Sequence, residues 1–187
     1  MLNSSGSALE YAQQIVPIED SRDTSRVVKI LAGLQDFVVL DIAGSAEMQP
    51  VALTDENLRQ ILAAVPAALF VYGLPMGKYK KFLRERIGRL GQSVLSLRSA
   101  LRTHYVSDLG EEFRGFLSQA EQVMVLLDCY LLKQARPALS QNTARIQDFV
   151  RRLATAGYVH QDNVSCMDWL YYEILPALKN IPRALGK

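Results

Sequence analysis

An all-α fold, a bundle of six or seven helices, is what this sequence predicts, and three observations predict it. Leu83, Ile87, Leu90, Val94, Leu97 and Leu101 recur at steps of four and three. Leu109, Phe113, Phe116, Ala120, Val123, Leu127 and Tyr130 do the same. That period lines apolar side chains along one face of an α-helix. Only the polar stretch THYVSD separates the two runs, so the helices must be antiparallel neighbours, a long hairpin over about 76–104 and 108–135. The seams are also wider than a bare coiled-coil stripe: Leu117, Leu126, Leu131 and Leu132 flank the second one. Wide seams pack against several neighbours at once.

Taken in order, residues 1–23 read as a loosely ordered N-terminal arm with at most one short helix near Ala8 to Ile15, and 24–187 as a single helical domain. Val27, Leu31, Leu34, Val38 and Ile42 lie near helical spacing, although FVVLDI (37–42) also suits a short buried strand; helix is the reading taken for 36–43, with a break at Gly44. Thr54 is placed to cap a helix whose first turn, Asp55-Glu56, complements its positive end. Leu58, Leu62, Val65, Leu69 and Tyr72 carry the pattern through Pro66, as one kinked helix or two short ones. Ser107 or Asp108 can cap the second hairpin helix, Asp108 and Glu111 having capping-box spacing, and Pro137 ends it. A further helix runs from about Gln141 to Ala156, with Ile146, Phe149, Val150 and Leu153 on one face and Gly157 as its stop. The last spans about Asn163 to Ile181 on a seam of Val164, Met167, Tyr171, Ile174, Leu178 and Ile181, bent at Pro176. Gly88, Gly91, Gly110 and Gly115 interrupt the helices at a cost of roughly 1 kcal/mol each relative to Ala. Close helix approach is the expected return.

Composition fits a globular chain with a core: 187 residues, 49% hydrophobic and 21% charged. A net charge of +2 is too small to imply a polyanionic partner by itself. Cys129 and Cys166, far apart and in apolar surroundings, read as reduced buried thiols. The N-terminus shows no signal-peptide pattern and no apolar run reaches the ~20 residues a bilayer span needs. A cytoplasmic protein is the expectation.

The stretch FVYGLPMGKYKKF (70–82) mimics the start of a phosphate loop but fails its chemistry. That motif needs four residues between its glycines and a Ser or Thr after the Lys, for phosphate and magnesium respectively. Here three residues separate Gly73 from Gly77, Tyr79 stands at the hydroxyl position, and Pro75 removes a backbone donor. The simpler reading is a helix-to-helix turn with both glycines at positive φ.

Two groups of residues stand out as candidate sites. Lys78, Lys80, Lys81, Arg84, Arg86, Arg89, Arg98 and Arg102 cover the side of the first hairpin helix away from its seam, with Glu85 the one acid among them. Such a face can meet nucleic acid, anionic lipid or an acidic protein. It can equally be a solvated face paired to Glu111, Glu112, Glu121 and Asp128. Trp169, Tyr172 and Tyr158 are candidates for a ligand or partner surface, while Tyr171 sits on the seam. His104 and His160 match no zinc spacing. Cys166, near a helix start where a thiol pKa falls, together with His160 is the one nucleophile pair to consider. No catalytic set, metal set or cofactor is named by the sequence. The functional expectation is a non-catalytic, adaptor-like regulatory protein that binds another protein, with homo-oligomerisation an option. The alternatives are a nucleic-acid or anionic-membrane binder acting through 78–102, and a bundle that holds a small apolar ligand.

Overall fold

The computed structural model describes residues 11–18, 23–64, 68–134, 136–156 and 162–186. The chain divides into two compact units, Met1–Tyr79 and Lys80–Lys187. The division falls inside the segment 24–187 that the sequence reads as one domain. The protein is mostly helical, but it is not all-α: the first unit carries a four-stranded antiparallel sheet.

In the first unit the order is β1 (Ala12–Pro17), α1 (Thr24–Gly33), β2 (Phe37–Ala43), β3 (Val51–Ala52), α2 (Asp55–Ala63) and β4 (Ala68–Pro75). The strands lie side by side as β1-β4-β2-β3, with Val16 opposite Leu69 and Ile42 opposite Val71. Val27 and Leu31 of α1 and Leu58, Ile61 and Leu62 of α2 join Val39, Ile42, Leu69 and Val71 in one core. Asp23 caps α1 by accepting from the Ser25 N–H at 2.9 Å, and Thr54 caps α2, as its position predicts, through the Asn57 N–H at 3.2 Å.

Three expectations fail here. Residues 36–43 are not helical. Leu34, Val38 and Ile42 coincide with a helical step, but Asp36 adopts φ 49°, a left-handed conformation that ends any helix, and the β-branched run that follows enters the sheet as β2. Residues 68–75 form a strand as well. Buried Leu69, Val71 and Gly73 alternate with half-buried Ala68, Phe70 and Tyr72, a period of two that overrides the four-and-three spacing back to Leu58. Val65 and Pro66 lie outside the described residues. Within the stretch expected to hold an arm or a short helix, Ala12–Pro17 is an edge strand.

Gly73 and Gly77 do not form a helix-to-helix turn, and neither has positive φ. Gly73 lies inside β4 opposite Val39, beside a bulge in β2 between Val39 and Asp41. A Cβ at Gly73 would stand 2.0 Å from the Val38 carbonyl oxygen. The two backbones approach so closely that only glycine fits. The strand then passes straight into α3 (Met76–Ala100), with Gly77 in its first turn and open space around it. The sheet is antiparallel throughout, unlike the parallel sheet that carries a phosphate loop.

The second unit is helical. Past Tyr79 it contains the rest of α3, a 3₁₀ turn (Val106–Asp108), α4 (Gly110–Lys133), α5 (Pro137–Ala156), α6 (Asn163–Asp168), a π-helical segment (Trp169–Ile174) and α7 (Leu175–Ala184). Every residue named in the two hairpin seams is buried. Ser93 Oγ of α3 donates to Gln119 Oε1 of α4 at 2.8 Å, as an antiparallel hairpin requires. Phe149 of α5 sits edge-on to Phe116 of α4, with centroids 6.0 Å apart, and to Trp169, at 6.1 Å. One ring thus ties three elements together.

The helix boundaries differ from expectation where capping decides them. Ser107 and Asp108 do not cap α4; its N-cap is Leu109, with no side-chain bond. Pro137 opens α5 rather than closing α4, as suits a residue with fixed φ and no N–H to lose. Nothing lies within 4 Å of a Cβ built at Gly88, Gly91 or Gly115, so these glycines do not serve close helix packing. On the last helix Val164 and Tyr171 are 63% and 45% exposed, and the buried line is instead Cys166, Leu170, Ile174, Leu178 and Ile181. The Leu175 N–H reaches the Leu170 carbonyl, five residues back, just before Pro176, which has no N–H to give. The wider π turn keeps residues four apart on one line and rotates the expected seam outward.

Candidate functional site

Helix α3 presents three sides in the second unit. Its seam is buried. One flank meets α4 through Ser93. The other flank meets the C-terminal segment: Arg84 donates to the Gly186 carbonyl, and the Arg98 guanidinium lies over the Tyr171 ring, 4.4 Å from its centroid. The eight cations therefore differ in their surroundings. Arg84 and Arg98 are drawn into the fold, and Arg86 lies 5.1 Å over the Phe82 ring. Lys78, Lys81, Arg89 and Arg102 are exposed and Lys80 is half-buried. Among the described residues, the side chains of Lys81, Arg89 and Arg102 make no hydrogen bond or ion pair, and no ion pair joins them to Glu111, Glu112, Glu121 or Asp128.

The Arg98–Tyr171 stack brings together two groups that the sequence kept apart, the basic face and the aromatic cluster. Tyr171 meets Tyr172 edge to face, with centroids 4.9 Å apart and planes at 87°. Tyr172 is 69% exposed. The π turn is what places both tyrosines outside, and π turns recur at functional positions. Trp169 faces inward against Phe149, so of the aromatic candidates it belongs to the packing, while Tyr158 lies outside the described residues.

The neighbouring junction is tied by hydrogen bonds. Asn163, at the start of α6, donates from Nδ2 to the carbonyls of Leu101 and His104, both at 2.7 Å, and accepts the Val106 N–H at 3.0 Å. These bonds hold the end of α3 to the start of α6. Asp162 caps α6 through the N–H and Oγ of Ser165, both at 2.8 Å, which holds its carboxyl below the usual range. Exposed Tyr105 and Val164 adjoin this junction in the chain. The contacts themselves join Arg98, Tyr171 and Tyr172 into one exposed corner. Periodicity placed Tyr171 on the buried seam, and its exposure corrects that reading; Tyr105 was not singled out at all. The sequence signal for the wider turn was Pro176, five residues on, which has no N–H to give.

The thiols offer a different chemistry from the one the sequence suggests. Burial pushes Cys166 up to about 11, and the charge of Asp162 adds to the rise, so the helix start does not activate it. Cys129 is also buried, and His160 lies outside the described residues. His104 is exposed and shares its ring Nδ1 with Thr103 Oγ1 at 2.8 Å. Among the described residues no group of three or more His, Cys, Asp or Glu side chains could hold a metal ion, and no helix is long and apolar enough to cross a membrane.

No protein family, curated protein or solved structure matches this chain. The functional reading therefore rests on the surface itself.

Proposed function

We propose that this is a non-catalytic, adaptor-like protein that docks another protein on the Arg98–Tyr171–Tyr172 corner. The single observation that carries the reading is the exposed tyrosine pair, fixed edge to face and backed by a stacked arginine. Tyr and Arg are, with Trp, enriched among the residues that anchor interfaces; Tyr brings large contact area at low entropic cost, and Arg brings a planar, charged donor group. Arg102, just past the end of α3 and with no side-chain partner among the described residues, favours a partner that presents carboxylates.

The test is quantitative affinity capture with the wild-type chain and a Tyr171→Ser/Tyr172→Ser variant of matched thermal stability. The reading requires a defined protein partner that the variant loses at least tenfold. An identical captured set with both proteins rejects it.

A second reading, supported by exposed Lys81, Arg89 and Arg102, is an anionic ligand: single-stranded nucleic acid stacking on the tyrosines, or anionic lipid. Binding would then weaken steeply with salt, and Lys81→Glu/Arg89→Glu/Arg102→Glu would abolish it. The diversion of Arg84, Arg86 and Arg98 to intramolecular partners places this reading second.

A further inference from the structure

We infer that the groove between α4 and α5 is a second docking site, for an amphipathic helix of a partner protein. That helix carries Lys or Arg at two positions seven residues apart, with apolar side chains three and four residues after the first.

The groove has a volume of about 420 Å³ and is lined by Glu121, Met124, Val125 and Asp128 from α4 and by Gln147, Val150 and Arg151 from α5. On α4 the order is acid, two apolar residues, acid, at steps of three, four and seven. Residues seven apart on a helix lie on one face and about 10.5 Å apart along the axis. A docked helix with its own positions at the same steps meets every one of them in register. Val125, 53% exposed beside buried Met124 and Leu126, and half-buried Val150 supply the apolar floor.

The groove is open along its length rather than enclosed, whereas small-molecule sites bury most of their ligand. The trough between two neighbouring helices is the shape that receives a third. Charge then selects the occupant. Glu121 and Asp128 demand cations on the α4 side. Arg151 lines the α5 side, so a cation of the occupant is better placed against α4 than against α5. Asp128 is exposed at the groove, where partial desolvation by its neighbours raises its carboxyl above the ordinary range.

The chain does not carry this pattern itself. Among the helices of the described residues, Arg145 and Arg152 alone are basic at a step of seven, and they bracket Asp148 and buried Phe149. The helices of the described residues therefore do not supply the occupant, and the proposal commits to a helix of a partner protein. With the tyrosine corner, the groove gives the second unit two docking surfaces, as an adaptor needs; the groove itself does not depend on that corner.

The probe is a designed, terminally blocked, alanine-based helix with Lys at two positions seven apart, Leu at the third and fourth positions after the first Lys, and Glu along the opposite border. The control exchanges the two Lys for Glu. Binding is followed on the full chain with labelled methionine methyls, Met124 being assigned from Met124→Leu. The Lys peptide is expected to shift the Met124 methyl and to bind at least tenfold more tightly than the control. Glu121→Gln/Asp128→Asn should remove most of that preference, and Tyr172→Ser should leave it unchanged. The inference is overturned if millimolar Lys peptide leaves Met124 unmoved, if both peptides bind equally, or if the preference survives in the double variant. It is equally overturned if Met124 shifts with protein concentration alone, because the occupant is then a second copy.

Discussion

Asn163 binds the carbonyl oxygen of Leu101 across 62 positions of sequence, with Nδ2 2.7 Å away. The same amide nitrogen reaches the His104 carbonyl, and the amide oxygen accepts from Val106. The end of α3 leaves carbonyls without helical partners, and one side chain from a distant helix satisfies two carbonyls there and a loop N–H. Asn163→Ala should lower stability by about 1–3 kcal/mol, the usual cost of stranding such groups. Asn163→Asp should be no better, because it keeps the acceptor for Val106 but loses both donors and sets a negative charge at the negative end of α3. Urea denaturation of the three proteins checks this ordering; a fully stable Asn163→Ala would mean that water replaces the latch without loss.

Two glycines should respond to the same substitution with opposite signs. Gly73→Ala puts a methyl 2.0 Å from the Val38 carbonyl oxygen and 2.9 Å from Phe37 Cε1, so β4 or β2 must shift. A loss of at least ~1–3 kcal/mol is expected. Gly88→Ala meets nothing within 4 Å on an exposed face of α3 and should gain about 0.5–1 kcal/mol from reduced unfolded-chain freedom. Thermal melts of the pair are sufficient, and a stabilised Gly73→Ala would contradict the close-approach argument.

How much of this was legible in the sequence depends on how long each pattern runs. The α3 and α4 seams extend over six and seven apolar positions, so chance spacing cannot mimic them, and every one of those positions is buried. In the first unit the runs are shorter. Leu34, Val38 and Ile42 satisfy a helical step by coincidence, and nothing local announces that Asp36 will turn left-handed. Strand pairing between residues 37–43 and 68–75 is a non-local fact that periodicity does not carry. The site was half visible. Exposed cations and aromatics could be named, but the stack of Arg98 on Tyr171 spans 73 residues of sequence (171 − 98) and depends on a π turn. The turn was foreshadowed only by Pro176. Asn163 gave no signal beyond its type.

Thr143 of α5 is 2% exposed and, among the described residues, its hydroxyl has no hydrogen-bond partner. Thr143→Val keeps the shape and removes an unpaired polar group. It should raise stability by about 1–3 kcal/mol, the cost of burying an unsatisfied hydroxyl. A matched or lower melting temperature for Thr143→Val would show that the hydroxyl is satisfied in solution.

Cys166 supplies the pH test. Its thiol is buried, and both burial and the Asp162 charge favour the neutral form, raising it from 9.0 to about 11. A group whose pKa is raised on folding contributes stability that is complete below its unfolded pKa. That contribution disappears as pH climbs through the folded pKa, because the unfolded chain releases the proton first. The stability difference between the wild-type protein and Cys166→Ala should therefore hold steady below pH 9 and decline between pH 9 and about 11. In the native state at pH 8, iodoacetamide should modify Cys166 far more slowly than it does in the urea-unfolded chain, as mapped by peptide mass spectrometry. Native-state modification at the unfolded rate would restore Cys166 as a reactive group, and the non-catalytic reading of this unit would fall with it.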